Sequence, residues 1–544
     1  MKIVLAAVHL EKAPEAVPLG AACVASALKA AFPGKAAVTL IETFLMAENG
    51  IKERGCVEDD AADILVKNTL DQDPDAVGFS LFSWNRNAML KAASAIRAQS
   101  PETFLFCGGP EATALPGGLS LAEGGPFDAV ISGEGELAAV RIIGEIFFGA
   151  AEDISEKKSA VIPAQFLSEA DLAALPSPWL DGVLTVRGRE GVLWELTRGC
   201  PYACAYCYES KGEKKVKRFP DARLREELKL FIREGAGFIF VLDPTFNSDT
   251  ERAIRLLDMI ACETHRVSEI QNISPSQKIL PPPVHWHFEV RAELLTRAQA
   301  RRFAALGASL QIGLQTAESN AAALCGRPFD ATDQSGQAIQ KKFRSKIDIL
   351  NEEGVIFGLD LIYGLPGDTL AGFLRSLDFA LSLYPNNIDL FRLQVLPGTV
   401  FWDRAEELGI KMRGNYTGGD HNGGAPYEVI ATADFPASDI ERAERISRWA
   451  DYFYNRGRAV PWFNQIIRVT GLRASAFLED FAGFAESAAL NLNEADSLVI
   501  EKAQLNFIEK VYRSKGRSSR FREAEETVRF HGREARNLSW TKRY

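Results

Sequence analysis

Cysteine is scarce in this chain, with eight residues in 544, and histidine is scarcer still, with six. Thiols so few and mostly scattered exclude the disulfide framework of a small secreted scaffold. No apolar run approaches the roughly 18 to 20 residues that a spanning helix needs. The opening MKIVLAAVHLEKAPEA has neither the basic start nor the small-residue cleavage site of a secretory signal. A cytoplasmic protein with no membrane span is the expectation. Positive charge is also short: a net charge of −10 argues against nucleic acid as the partner of the whole surface. The one locally basic stretch, YRSKGRSSRFREAEETVRFHGREARNLSWTKRY, reads as a solvated helical face. No repeat of fixed period is present.

What is present is a chain too long for one core, so two or three domains are expected. Over residues 1–150 the runs KIVLAAV, AVTLIET, AVGFSLF, TFLFCGG and AVISGEG alternate with LGAACVASALKAAF and helical patterns near 58 to 70, 86 to 98 and from about 136. This alternation predicts an α/β fold, a doubly wound, flavodoxin-like parallel sheet. Ligands of such sheets lie beyond the carboxyl ends of the strands, here the turns SLFSWNRN, CGGPEAT and SGEGE. Residues 151–190, with LSEADLAALPSPWL, read as a linker. Over 191–400 a second series follows: VLWELTR, GFIFVLD, HWHFEV, SLQIGL, VIFGLDLI and IDLFRLQV, with a PPP loop at 281–283 before the third. Six βα units predict an open, partial (β/α)6 barrel with its chemistry at the C-terminal strand ends. Residues 401–544 lose the β signal and predict a separate, mostly α cap.

Three of the eight cysteines break the scatter. In RGCPYACAYCYES, Cys200, Cys204 and Cys207 fall within eight positions, directly after the first strand of the second series. Thiolates at this spacing can wrap one compact soft centre. Structural zinc normally takes four protein ligands, yet residues 208–220 offer no further Cys or His, and the next cysteine is Cys262. An iron–sulfur cluster with one open iron is favoured, with zinc or an unliganded loop as the alternatives.

Cys-x3-Cys-x-Tyr-Cys after the first strand of a six-unit barrel resembles the radical S-adenosylmethionine (SAM) superfamily. The resemblance implies that Cys200, Cys204 and Cys207 hold a [4Fe-4S] cluster whose open iron binds SAM and whose electron cleaves it to methionine and a 5′-deoxyadenosyl radical. Tyr206 takes the aromatic position near adenine. Asp243, Pro244 and Thr245 stand where the family usually has a Gly-Gly-Glu-like turn for the SAM amino group. Glu289 and Arg291, on one face of their strand, are candidates for the SAM ribose and carboxylate, with a plain salt bridge as the rival reading. Gln315, which ends the fourth strand, and Leu396, which ends the sixth ahead of Pro397, are further SAM candidates.

The first domain resembles the cobalamin-binding domain of B12-dependent radical SAM enzymes. The resemblance assigns cobalamin contacts to Pro18, Leu19 and Gly20, to Ser83, Trp84, Asn85, Arg86 and Asn87, to Gly108, Gly109, Pro110 and Glu111, and to Gly133, Glu134, Gly135 and Glu136. Glycines suit such turns because backbone must approach a large flat ligand closely. No histidine stands in the Asp-x-His-x-x-Gly setting that ligates cobalt in many such domains, so no protein histidine ligand is expected, with His9 the one outside candidate. Through DPTFN, FEVRAELLT, LDLIYGLPGD and APYEVIATADFP the resemblance extends over about residues 1 to 455, to a subfamily with a C-terminal domain of unassigned function.

The leading expectation is therefore an enzyme using a [4Fe-4S] cluster, SAM and cobalamin to methylate an unactivated carbon of a small-molecule or peptide substrate. An external electron donor such as flavodoxin or ferredoxin would supply it. Two rivals stand beside it. One is a methylthiotransferase with a second cluster on Cys23, Cys56 and Cys107; the other is a non-catalytic cobalamin- or redox-responsive protein.

Overall fold

The structure, a computed structural model, describes residues 1–45, 54–149, 160–209, 215–270, 284–327, 337–413 and 427–537. The triple proline at 281–283, the first two residues of APYEVIATADFP, His421 and the end of the basic tail lie outside the described residues, as do the side chains of Cys56 and His265.

Strands β1 (Lys2–His9), β2 (Ala37–Phe44), β3 (Ala76–Ser80), β4 (Phe104–Gly108), β5 (Ala129–Gly133) and β6 (Ala160–Gln165) form one parallel sheet in the order β2-β1-β3-β4-β5-β6. Central strands of such a sheet are covered on both faces, so β1 is an unbroken apolar run. Val4, Ala6 and Val8 pack toward the helices Arg54–Leu70 and Arg86–Gln99. Ile3, Leu5 and Ala7 pack toward Leu19–Ala31 and Gly135–Ile143.

The stretch expected as a linker is structured. It supplies β6, whose Ala160 and Val161 pair with Ala129 and Val130. Pro163 disguises this strand in the sequence, and an edge position tolerates it because a missing N–H costs little there. A helix, Glu169–Ala174, follows behind a capping box of Ser168 and Asp171. Beyond it Trp179 is buried and donates from Nε1 to the Leu193 carbonyl at 3.2 Å, while Asp181 accepts from Ser26 Oγ at 2.6 Å. The segment is a packed strap between the two sheets.

The second sheet is the expected six-stranded parallel array. Its strands, β7 (Val192–Trp194), β8 (Phe238–Val241), β9 (His285–Val290), β10 (Ser309–Gln315), β11 (Ile356–Tyr363) and β12 (Asn387–Arg392), lie in chain order from edge to edge. Alternation sets the two faces. Trp286, Phe288 and Val290, like Leu310, Ile312 and Leu314, are buried against the outer helices, while Glu289, Gln311 and Gln315 fall on the interior face.

An incomplete barrel leaves β12 with an unpaired edge, and the C-terminal helices cover it. Ser447 Oγ donates to the Leu390 carbonyl at 2.9 Å, and Tyr454 OH to that of Pro385 at 2.7 Å. The Asn455 amide bonds both the N–H and the C=O of Ile388, each at 2.9 Å, as a neighbouring strand would. Helices Ala437–Ala450, Ala474–Ser487 and Ser497–Ser514 share one continuous core with the barrel through Trp449, Phe453, Phe481 and Phe507. These helices are the mostly α region expected after residue 400, and they flank the open side of the barrel and share its core. The basic tail forms the helix Phe521–Asn537. It buries Ala524 and Val528 and pairs Arg522 with Glu526, Arg529 with Glu525, and Arg536 with Glu501, so these three arginines sit in ion pairs.

Replacing Asn455 by leucine leaves both backbone groups of Ile388 without that partner, at a cost of about 1–3 kcal/mol. The Asn455→Leu protein is expected to show a lowered thermal midpoint and faster hydrogen exchange at the Ile388 amide.

Candidate active site

The cysteine loop begins at the carboxyl end of β7 and is pinched at its neck. Thr197 and Arg198 pair antiparallel with Arg218 and Lys217. Between these stems Cys204 is buried, and Cys200 and Cys207 are half-buried. Other strand ends hold the loop. Ala205 N–H donates to the Cys325 carbonyl and the Ala205 carbonyl accepts from Phe401 N–H, both at 3.0 Å. Gly326 lies so close beneath that a Cβ there would stand 2.8 Å from the Ala203 carbonyl oxygen. The thiols therefore open at the C-terminal mouth of the barrel, and Cys200 Sγ lies 4.0 Å from Thr245 Oγ1. Three thiols on one loop, with no imidazole among the described residues that hold it, suit an iron–sulfur cluster better than zinc.

Around this mouth the anticipated side chains divide into braces and open groups. Asp243 is a brace: buried, its Oδ1 accepts from Leu196 N–H at 3.1 Å and Thr197 N–H at 2.9 Å, tying β8 to the start of the loop. Burial pushes its carboxyl up to about 7, against the pull of Arg252 and these hydrogen bonds. Thr245 donates from Oγ1 to the Pro244 carbonyl. Arg291 stacks 3.8 Å above the Tyr202 ring, a cation–π contact onto the loop, and pairs with Glu293 rather than with Glu289. Glu289 faces other acids: burial, then Asp360, then Glu209, raise it to about 7. Asp360 rises to about 7 for the same first reason. The rival reading of Glu289 and Arg291 as one salt bridge is thus not what forms.

Three buried polar atoms near the mouth lack a hydrogen-bond partner among the described residues: Gln315 Oε1, Arg327 Nε and Glu293 Oε2. Gln315 also adopts a left-handed φ of 67°, which a non-glycine residue rarely takes without a local reason. Arg327 is buried, and its Nη1 reaches the Tyr206 hydroxyl at 3.5 Å. Orphaned polar groups of both signs beside the thiols fit a polar, zwitterionic ligand such as SAM. Arg327 was missed in the sequence. Its GRP context gives no periodicity, and only the fold of the 319–327 segment back under the cysteine loop brings it to the mouth.

The C-terminal edge of the first sheet faces this mouth. Tyr208 OH donates to the Pro110 carbonyl at 3.0 Å. Glu134 accepts from Arg198 Nη1 at 3.1 Å and Lys217 Nζ at 2.7 Å, and Arg198 Nη2 lies 2.7 Å from Glu136. The side chains of Glu134 and Glu136, expected toward a corrin, are instead committed to the stems of the cysteine loop. Asn85, also expected to face the ligand, is buried and bonds the carbonyls of Val8 and Ser80 and the N–H of Phe82. Arg86 pairs at 3.3 Å with buried Glu111, which also accepts at 3.2 Å from the hydroxyl of Tyr427, far along the chain. Asn87 reaches Glu58 at 3.4 Å.

The other turn residues do what close packing needs. Gly109, at φ 102°, passes so near that a Cβ would meet the Leu81 carbonyl oxygen at 2.6 Å. Gly133 N–H bonds Thr113 Oγ1 at 3.0 Å, and Gly135 packs on Val24. Gly108 makes only ordinary contacts, and a Cβ on Gly20 would meet open space. Pro18 and Leu19 start the first helix. Trp84 remains 37% exposed, stacked on Phe82, and Leu10 beside β1 is also exposed. Exposed flat apolar groups on this edge fit a corrin face. His9 is held by Glu42, itself gripped by Arg189. Burial alone would raise Glu42, but hydrogen bonds from His9 and Arg189 bring it down to about 2. His285 and His287 begin β9, at the opposite end of the barrel.

Cys23 and Cys107 do not come together: they belong to separate hydrophobic cores, and burial drives both thiols far above their usual range. That removes the basis for a second cluster on these two.

Among known proteins, residues 194–380 match the radical SAM superfamily and residues 7–143 match the B12 binding domain. The chain is similar to the cobalamin-dependent radical SAM methyltransferase TokK of Streptomyces tokunonensis, 29% identical over 32% of this chain and 28% of that one. It is also 29% identical to 2-(S-pantetheinyl)-carbapenam-3-carboxylate methyltransferase of Streptantibioticus cattleyicolor, over 34% of this chain and 30% of that protein. The chain thus aligns with less than a third of each of these relatives. In fold it resembles the radical SAM methyltransferase TsrM of Kitasatospora setae with cobalamin and [4Fe-4S] cluster bound, at a TM-score of 0.58 and 15% identity, over 89% of this chain and 99% of that one. The two matched domains are thereby present in order: residues 7–143 carry a B12-binding domain, and residues 194–380 a radical SAM domain that follows it.

Proposed function

We propose that this chain is a B12-dependent radical SAM methyltransferase that methylates an unactivated carbon of a small molecule. One observation carries the reading: the three-cysteine loop stands between the C-terminal mouth of the barrel and the C-terminal edge of the B12-binding domain. Whatever is held on that loop faces both ligand sites. When bound, the cluster, SAM and cobalamin would supply the electron, the radical and the methyl group.

The chain's own residues bind and orient. Cys200, Cys204 and Cys207 are the cluster ligands. Arg327, Gln315 and Glu293 offer buried groups of both signs to SAM, with Tyr206 alongside. Trp84 and the turns after β1, β3 and β4 hold the corrin. Tyr208 on Pro110 and Tyr427 on Glu111 close the gap between the domains and exclude water there. The relatives' names support methyl transfer, and TsrM has been solved with tryptophan and a SAM analogue bound, which supports a small-molecule substrate. A flavodoxin or ferredoxin is the proposed electron donor.

Reconstituted without oxygen, the protein is expected to hold about four irons, the content of one [4Fe-4S] cluster. Once reduced and given SAM, it should form 5′-deoxyadenosine or methylate cob(I)alamin. Each of Cys200→Ala, Cys204→Ala and Cys207→Ala should lose both properties. A fully loaded wild-type protein that does neither would overturn the reading in favour of a non-catalytic cobalamin-responsive protein. Arg327→Lys keeps the charge but not the fork, and a lost charged hydrogen bond in a buried site should weaken SAM binding about 10-fold or more in equilibrium dialysis.

The raised carboxyl of Glu289 has a pH signature in the protein free of cofactors. Its folded value, about 7, lies above the ordinary 4.5, so the folded state binds its proton more tightly than the unfolded state. Stability contributed there is present below 4.5 and is lost as pH rises to 7. Glu289→Gln is expected to flatten the fall of the thermal midpoint across that window.

A further inference from the structure

The contact that joins the domains also surrounds the neck of the cysteine loop with charge. Arg198 precedes Cys200 by two positions and is paired across the neck with Lys217. Among the described residues, three carboxylates meet these two cations. Glu195 comes from the barrel, with its Oε1 3.0 Å from Arg198 Nε. Glu134 and Glu136 come from the B12-binding domain. Glu134 uses both oxygens: Oε1 accepts from one stem of the loop, Oε2 from the other, and Oε2 also takes the Leu167 N–H at 2.6 Å. Lys217 is 4% exposed, Glu136 5% and Glu134 16%, so water screens this group weakly. Among the described residues it formally carries one negative charge in excess.

The reduction potential of an iron–sulfur cluster follows the net charge and hydrogen bonding around it. Negative charge nearby opposes the added electron and keeps the reduced cluster a strong reductant. We infer that Glu134 and Glu136 are positioning residues for the cluster, supplied by the other domain: they fix the two stems of its loop and hold its potential low. The reducing power of the barrel would then depend on the B12-binding domain being docked. This rests on the proposal that Cys200, Cys204 and Cys207 hold the cluster.

The test is a redox titration of the full chain, loaded with cluster and hydroxocobalamin and followed by electron paramagnetic resonance, with iron counted in each variant. Glu136→Gln removes a negative charge and should shift the midpoint positive. Lys217→Gln removes a positive charge and should shift it negative. Arg225→Gln, which breaks a pair on the outer helices, should leave it unmoved. Opposite signs at the two neck positions separate electrostatic control from a merely loosened loop, which would move both the same way. Shifts of like sign, or none with iron retained, overturn the inference. Should Glu136→Gln lose iron, Glu136→Asp decides: wild-type iron and potential support the inference, and iron loss there too overturns it. A wild-type protein whose iron binding does not depend on the three cysteines would instead overturn the cluster assignment.

Discussion

A single carboxylate, that of Glu134, holds both stems of the cysteine loop to the edge of another sheet. Parallel sheets present all their strand carboxyl ends on one edge, and that edge is where open turns and ligands gather. Two such sheets can cooperate only if these edges face each other. The ion pairs of Glu134 and Glu136 with Arg198 and Lys217, the Tyr208 bond to Pro110 and the Tyr427 bond to Glu111 impose that arrangement. Being shielded from water, each pair leaves an uncompensated charge if its partner withdraws, so the docked geometry is strongly favoured over small displacements.

Inside the barrel the polar residues have a different logic. Asp243 and Asn247 are braces. The first binds the backbone where the loop begins, and the second bonds both the N–H and the C=O of Arg291, linking the ends of β8 and β9. They hold strand ends rigid so that the groups left open beside them, Arg327 and Gln315, keep fixed positions. Gln311 bridges Asp360 and Asp389 across three strands, and burial there favours the neutral acids. The C-terminal helices complete the barrel from the side. Asn455 substitutes for the missing seventh strand at Ile388, which leaves the mouth to the cysteine loop and the first domain.

Much of this was legible before any coordinates. Runs such as KIVLAAV and the alternation of HWHFEV reflect burial on two faces or one, a local property of each strand, so five strands of the first sheet and all six of the second followed from pattern. The cysteine spacing is local too, and it favoured a cluster over zinc. Arg327 was not legible, nor was the strand hidden by Pro163, nor the role of Asn455, whose partner lies 67 residues away. Glu134 and Glu136 were assigned to a ligand on the resemblance that SGEGE carries. Their actual partners, Arg198 and Lys217, sit in another domain.

The sequence by itself determined the strands of the two parallel sheets and the close grouping of Cys200, Cys204 and Cys207, because apolar periodicity and residue spacing are set over a few residues. Tertiary structure alone decided which polar side chains are braces, which remain open to ligands, and that the two strand-end edges meet across the cysteine loop. A charge acquires its role only from what lies within a few ångströms, and in this chain those neighbours come from residues tens to hundreds of positions away.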